Sequence, residues 1–324
     1  MSQVAFIKRQ TIVLRKLVKT GVAVAVVAAI SFLPSRIALA MNGDGTSEYP
    51  YRITTCEDFQ NMNLNPSAYF VLTGDIDCSV STTLNDGAGF NPLYSFDGHL
   101  NGRNATVSNL TINRPSTNYV AIFKDLTNNA SITNISFTSV NVTGNNDVAL
   151  LAGGATNATI SGVSVQGTVT GAGSVGGLVS HLNAGSSIDK SSFTGTITNS
   201  GGWTGGLVTF LNDANVSNSY VDADITSGNS GGPLIGALYA TTGPLSVSNV
   251  YATGTYNDGN YRSGLIGFTY YAAPGSVNIS HAFTNVYVSN GASHSSQGGV
   301  IARNDPDDGG VTLSDVVFDG TQVG

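Results

Sequence analysis

Side chains able to act as acid, base, nucleophile or metal ligand are sparse in this 324-residue chain. Its four histidines are His99, His181, His281 and His294, and no two lie one helical turn apart beside a glutamate, which excludes the paired-histidine zinc hydrolysis of metallopeptidases. The two glutamates, Glu48 and Glu57, both lie near the N-terminus. Asp222 and Asp224 are two residues apart and would share one strand face, the arrangement that paired-carboxylate glycan hydrolysis requires. No basic residue recurs beside them, so a solvated strand face is favoured. Asp305, Asp307 and Asp308 gather three carboxylates in a Gly-ended loop; they offer oxygen ligands to calcium, or form a polar turn. The spacing favours the turn. Tyr220, Tyr251 and Phe283 recur at intervals of 31 and 32 residues, with Tyr256, Tyr261, Tyr270, Tyr271 and Tyr287 near them in sequence. Such a series either stacks for its own sake between strands or presents ring faces to a sugar. Trp203, beside Gly201 and Gly202, reads as a turn or rim residue. No cofactor is implied.

The elements that position these groups begin after a targeting segment. Residues 1–20 hold five Lys/Arg and no acid, an apolar run follows from Gly21 to Leu33, and Ala38-Leu39-Ala40 is a small-x-small cleavage site. This pattern is a secretory signal peptide at 1–40, too short in its apolar part for a membrane span. Removing it leaves seven basic against twenty acidic residues, a net charge of −13. A surface of that sign argues against nucleic acid and anionic lipid as partners. Export also accounts for the two cysteines: Cys56 and Cys78 read as a disulfide closing a loop of 22 positions, worth about 3 kcal/mol by chain entropy. Thr54 followed by Glu57 is a capping-box signal for a short helix from Cys56 to Met62.

Beyond residue 100 one pattern dominates. Paired aliphatics open at Ile122, Leu150, Leu178, Leu207, Leu234, Leu265 and Val300, and alternating stretches open at Val107, Ile132, Ile160, Ile188, Val216, Val247, Ile279 and Leu313. Intervals near 28 residues, lengthening toward the C-terminus, are the mark of a solenoid. Gly, Ser, Thr, Asn, Val and Ile favour strands and turns over helix. The period is two within each stretch: the third and fifth residues after the opening aliphatic are apolar or small, and the fourth is polar or aromatic. The second residue after it (Asn109, Asn134, Gly162, Lys190, Asn218, Asn249, His281, Asp315) reads as a turn position, where Asn amides could bond from coil to coil except at Gly162 and Lys190. A regular Thr-x-Thr array of the ice-binding kind is not expected, since only Thr168/Thr170 and Thr196/Thr198 follow one another.

These observations predict an all-β fold: a right-handed single-stranded parallel β-helix of about seven to eight coils, three strands to a coil, with an N-terminal cap containing a short helix. The expected organisation is signal peptide at 1–40, cap and lead-in coil with the disulfide at 41–100, and repeats at 101–324. Tyr51-Arg52-Ile53 with Cys56-Glu57-Asp58-Phe59, Asn101-Gly102, Val175-Gly176-Gly177-Leu178-Val179 and Ser263-Gly264-Leu265-Ile266-Gly267 resemble the GLUG-motif repeat proteins. That resemblance implies a bacterial exported or cell-surface β-helix, adhesin-like, in a family whose repeat also accompanies some immunoglobulin-A-cleaving metallopeptidases. The resulting expectation is a secreted or surface-bound, non-catalytic adhesion or glycan-binding module. Its partners would be host or environmental glycans or surface proteins, with Tyr220, Tyr251 and Phe283 as the contact candidates and oligomerisation possible through the C-terminal coil. The alternatives are a polysaccharide lyase or hydrolase, and a purely structural envelope or matrix protein.

Overall fold

The computed structural model describes residues 41–242, 244–257, 261–271, 277–289, 296–304 and 311–320. The leader read at 1–40 and the carboxylates Asp305, Asp307 and Asp308 lie outside the described residues. Over the described residues the chain is a parallel β-solenoid of about seven turns, with one short α-helix at Cys56–Asn61. Each turn contributes to three sheets. The first sheet holds thirteen strands, from Tyr51–Ile53 to Val311–Phe318; the second holds seven, from Phe123–Leu126 to Ile301–Asn304; the third holds six short ones, from Val148–Ala149 to Ser296–Gly298.

Register in the first sheet follows the repeat. Ile132, Ile160, Ile188, Val216, Val247, Ile279 and Leu313 stand one above another, and all but Leu313 are fully buried. Phe137, Val165, Phe193, Val221 and Ala252 form a second inward column. Stacking like on like removes each apolar face from water, which no single coil could do alone. The third-residue column admits Ser191 and Ser219 because each hydroxyl is satisfied. Ser191 Oγ donates to the Asp189 carbonyl (2.8 Å) and accepts from the Val163 amide (3.2 Å). Ser219 Oγ donates to the Ser217 carbonyl (2.6 Å) and accepts from the Ser191 amide (3.1 Å).

The turn column has a sharper cause than expected. Asn104, Asn134, Lys190, Asn218, Asn249, His281 and Asp315 all have φ between +47° and +63°, and Gly162 has +65°. Each of these coils thus places a residue of this corner in the left-handed region, where Gly and Asn are least strained. Amides do bridge coils there, Asn249 Nδ2 to Asn218 Oδ1 at 3.1 Å and Asn218 Nδ2 to Asp189 Oδ1 at 2.6 Å.

Three readings of the repeat are corrected. In the first coil it is Leu100, not Val107, that pairs with Ile132; a bulge between Asn101 and Ala105 then sets Val107 on Phe137. Asn109 accordingly sits one bend further on than the turn column it was assigned to, although its φ of +60° is also left-handed. In the aliphatic series Leu151, not Leu150, matches Leu178, and Leu150 takes the place of Gly177. The reason is volume: a Cβ on Gly177 would lie 2.3 Å from the Phe193 ring, whereas the coil below has Val165 in Phe193's place. In the Thr column a register shift after Val165 puts Asn141, not Val140, beside Thr168, so that Thr111, Asn141, Thr168, Thr196, Asp224 and Thr255 share one outward column, with Thr168/Thr170 and Thr196/Thr198 still the successive Thr-x-Thr pairs. Amides and a carboxylate interrupt its hydroxyls.

At the N-terminal end the helix is Cys56–Asn61, with Thr55 as N-cap. The capping box is therefore one residue later than predicted: the Thr55 hydroxyl accepts from the Asp58 amide (3.1 Å), and the Asp58 carboxylate accepts from the Thr55 amide (3.1 Å). Cys56 and Cys78 are joined, Cα to Cα 5.1 Å. Phe59 is fully buried, with its ring 5.5 Å from Phe90, 6.4 Å from Phe123 and 6.1 Å from Phe137. The helix thereby plugs the open end of the apolar shaft.

Candidate functional site

The outer face of the second sheet carries two columns of side chains, because residues two apart on a strand point the same way. The first runs Asp125, Gly154, His181, Phe210, Ala237, Phe268, Arg303. Beside it, two residues further along each strand, lie Thr156, Asn183, Asn212, Tyr239 and Tyr270. Half-buried rings fill the middle. Phe210 is 6.3 Å from Tyr239, Tyr239 is 6.3 Å from Phe268 and 6.0 Å from Tyr270, at inclinations of 44° to 56°. Trp203, from the third sheet, lies 6.1 Å from Phe210 and 6.0 Å from Phe268, so its indole spans the gap that Ala237 leaves between them. Trp203 is thus part of an aromatic group, not the isolated rim residue read from the sequence. The guanidinium of Arg303 lies 5.7 Å from the Phe268 ring at the far end. Amides edge the strip: Asn212 Nδ2 donates to Asn183 Oδ1 (2.8 Å), and Asn183 Nδ2 to Thr156 Oγ1 (3.2 Å).

Where the rings end, a titratable cluster begins. The His181 ring is 4.8 Å from Phe210, and its Nδ1 lies 3.6 Å from Asp147 Oδ1. Asp147 is buried; it accepts from Asn146 Nδ2 (2.7 Å) and from the Tyr119 hydroxyl. Desolvation holds the Asp147 carboxyl above the usual carboxylate range, and desolvation likewise lowers His181. The Asp147 charge raises Tyr119. Asp125 is also raised by burial, partly offset by Lys124, whose ammonium lies 5.1 Å from the Tyr94 ring and 5.9 Å from Tyr119. Tyr119 and Asp147 both have φ of +57°, on corner residues of successive coils. No constellation of this kind was read from the sequence. Tyr119 and Asp147 are 28 residues apart, so the repeat period itself was the signal.

The residues singled out from the sequence lie on the first sheet. Tyr220, Tyr251 and Phe283 are in register on successive coils. Tyr220 and Tyr251 stack at 4.6 Å with 4° between their planes, so the facing sides of the two rings cover each other. Asp222 and Asp224 share the outer face, and each accepts from a threonine of the next coil, Thr253 (2.9 Å) and Thr255 (2.8 Å). Among the described residues no third acid, histidine or base converges on them. Tyr256 points inward and is fully buried, against its reading as a surface aromatic, while Tyr270 belongs to the second sheet and not to the Tyr220 column.

Residues 171–198 match the family model for the GLUG motif. A 107-residue stretch is 35% identical to halomucin of Haloquadratum walsbyi, covering 32% of this chain and 1% of that protein. A 102-residue stretch is 32% identical to a protein of Evansella cellulosilytica provisionally named a Gly-rich membrane protein, covering 30% of this chain and 12% of that one. The chain thus corresponds to only a small part of either relative's length. Among solved structures, an IgA1 protease superposes with a TM-score of 0.61 at 22% identity, over 81% of this chain and 21% of that one. A Bacteroides ovatus protein provisionally named an immunoglobulin A1 protease gives 0.50 at 16% identity, over 86% and 79%. At these identities the likeness speaks for the fold alone. The Gly176-Gly177-Leu178-Val179 corner belongs to the matched segment, and its glycines answer a steric demand: a Cβ on Gly177 would lie 2.0 Å from the Gly206 carbonyl oxygen. The solenoid carries a GLUG motif at residues 171–198.

Proposed function

We propose that the chain is an exported, non-catalytic binding module of a bacterial surface or extracellular matrix, and that it holds glycans on the aromatic strip of its second sheet. One observation carries this reading: Phe210, Tyr239, Phe268, Tyr270 and Trp203 gather half-buried rings about 6 Å apart on one outward sheet face edged by the Asn183 and Asn212 amides, whereas the Tyr220–Tyr251 pair consumes its facing sides internally. The surface setting is supported by the names halomucin and Gly-rich membrane protein borne by its relatives, and by the leader-like residues 1–40. No helix among the described residues is long and apolar enough to cross a membrane.

A second reading, a glycan-active enzyme, draws support from Tyr119, Asp147 and His181 meeting at the end of the same strip. A glycan array followed by product analysis separates the two. Binding without cleavage, lost in Tyr239→Ser and kept in His181→Ala, supports the module. Cleavage abolished in His181→Ala supports the enzyme, and a chain that neither binds nor cleaves leaves the structural envelope role.

A further inference from the structure

Resting on the glycan-binding reading, we infer the class and the orientation of the ligand: an uncharged, extended polysaccharide that lies parallel to the solenoid axis across four coils. The columns dictate the direction. Phe210, Phe268 and, beside them, Asn183, Asn212, Tyr239 and Tyr270 follow one another along the axis, while any single strand offers only two outward side chains. A ligand lying across the axis would meet only the two outward side chains of one strand, such as Phe210 and Asn212. One lying along it meets Phe210, Trp203, Tyr239 and Tyr270 in turn. The coil spacing of about 4.8 Å is close to the advance per sugar in an extended pyranose chain, so successive sugars meet successive coils.

The lining selects against charge. Beside the rings the strip offers amides from Asn183 and Asn212, which donate to and accept from hydroxyls without a charge requirement. Asp125 and Asp147 close its N-terminal end, and twenty acidic residues face seven basic ones beyond residue 40. A uronate or sulfate chain entering the strip would meet carboxylates that burial already holds in an unfavourable state. Arg303 is engaged with the Phe268 ring at the opposite end.

The test is calorimetric titration of the folded chain with two size series, cello-oligosaccharides as the uncharged probe and oligogalacturonates as the anionic one. Affinity for the uncharged series is expected to rise with length until the oligosaccharide spans four coils, about 14 Å, and then to level off. Hexagalacturonate is expected to bind at least tenfold more weakly than cellohexaose. Tyr270→Ser should weaken the hexamer roughly tenfold and shift the plateau to a shorter length, leaving the shortest binding member unchanged. Equal losses at every length would overturn the axial orientation. Tighter binding of the anionic series, sensitive to Tyr239→Ser, would overturn the ligand class and leave the glycan-binding reading standing. Binding of neither series, in a chain with unchanged thermal unfolding, would overturn both.

Discussion

A shared backbone conformation explains the evenness of the turns. At the corner that follows the opening aliphatic, one position takes positive φ, and asparagine or glycine occupies it in five of the eight coils where it is described. Lys190 is an exception, at φ +47°, with a side chain 73% exposed and an ion pair to Asp189 at 3.8 Å that is too solvated to offset the strain. Lys190→Asn is expected to raise the unfolding free energy by about 0.5–1 kcal/mol, seen as a higher urea midpoint at unchanged slope. An unchanged or lower midpoint would mean that the lysine contributes something its surroundings do not reveal. The same left-handed geometry at Tyr119 and Asp147 turns a hydroxyl and a carboxylate toward each other from successive coils. His181 is visible in the sequence without its partners, because contacts across coils link residues 28 to 34 positions apart.

At the scale of elements, the short helix is held by its first turn. Helices of six residues do not persist on propensity, so capping and burial of Phe59 must sustain it. The Asp58 carboxylate accepts from the Thr54 amide (2.9 Å), the Thr54 hydroxyl (2.6 Å) and the Thr55 amide (3.1 Å). Asp58→Ala is expected to cost about 1–2 kcal/mol, and Thr55→Ala about 1 kcal/mol. Because both act on one box, the double variant should lose less than the sum, which a denaturation cycle measures. Full additivity would deny that the two act together. The helix itself was legible in the sequence; its exact cap was not, since Thr54 and Thr55 are equally good candidates and only the backbone (Thr55 at φ −136°, ψ 164°) distinguishes them.

The molecule as a whole obeys nearest-neighbour packing, with each coil fitted to the one above. Removing residues 160–187, one full period, rejoins Thr159 to Ile188 in register but brings Leu150 beneath Phe193, where Gly177 stood. That deletion is expected to leave a chain with parallel-β circular dichroism destabilised by overpacking, about 1–3 kcal/mol less stable than the same deletion with Leu150→Gly added. Equal stability of the two would show that the corner is soft and that the volume argument fails. A sequence with this period determines a great deal by itself. Solenoid architecture and its inward and outward faces follow from residue type at a spacing of two or of about 28, since each depends on contacts that the repeat makes nearly local, while the helix follows from a local capping signal and the Cys56–Cys78 pair from there being two cysteines. Tertiary structure alone decided which outward columns become neighbours. Corner geometry and the stacking of one coil on the next, invisible in composition, set whether Trp203 meets Phe210 and Phe268 and whether Asp147 reaches His181, while a bulge between Val165 and Gly167 sets which residue stands beside Thr168. In a two-residue period a slip of one reverses the face that a side chain occupies, so burial of the inward face pins the register that the sequence encodes, whereas nothing of that kind fixes which corner and outward side chains meet.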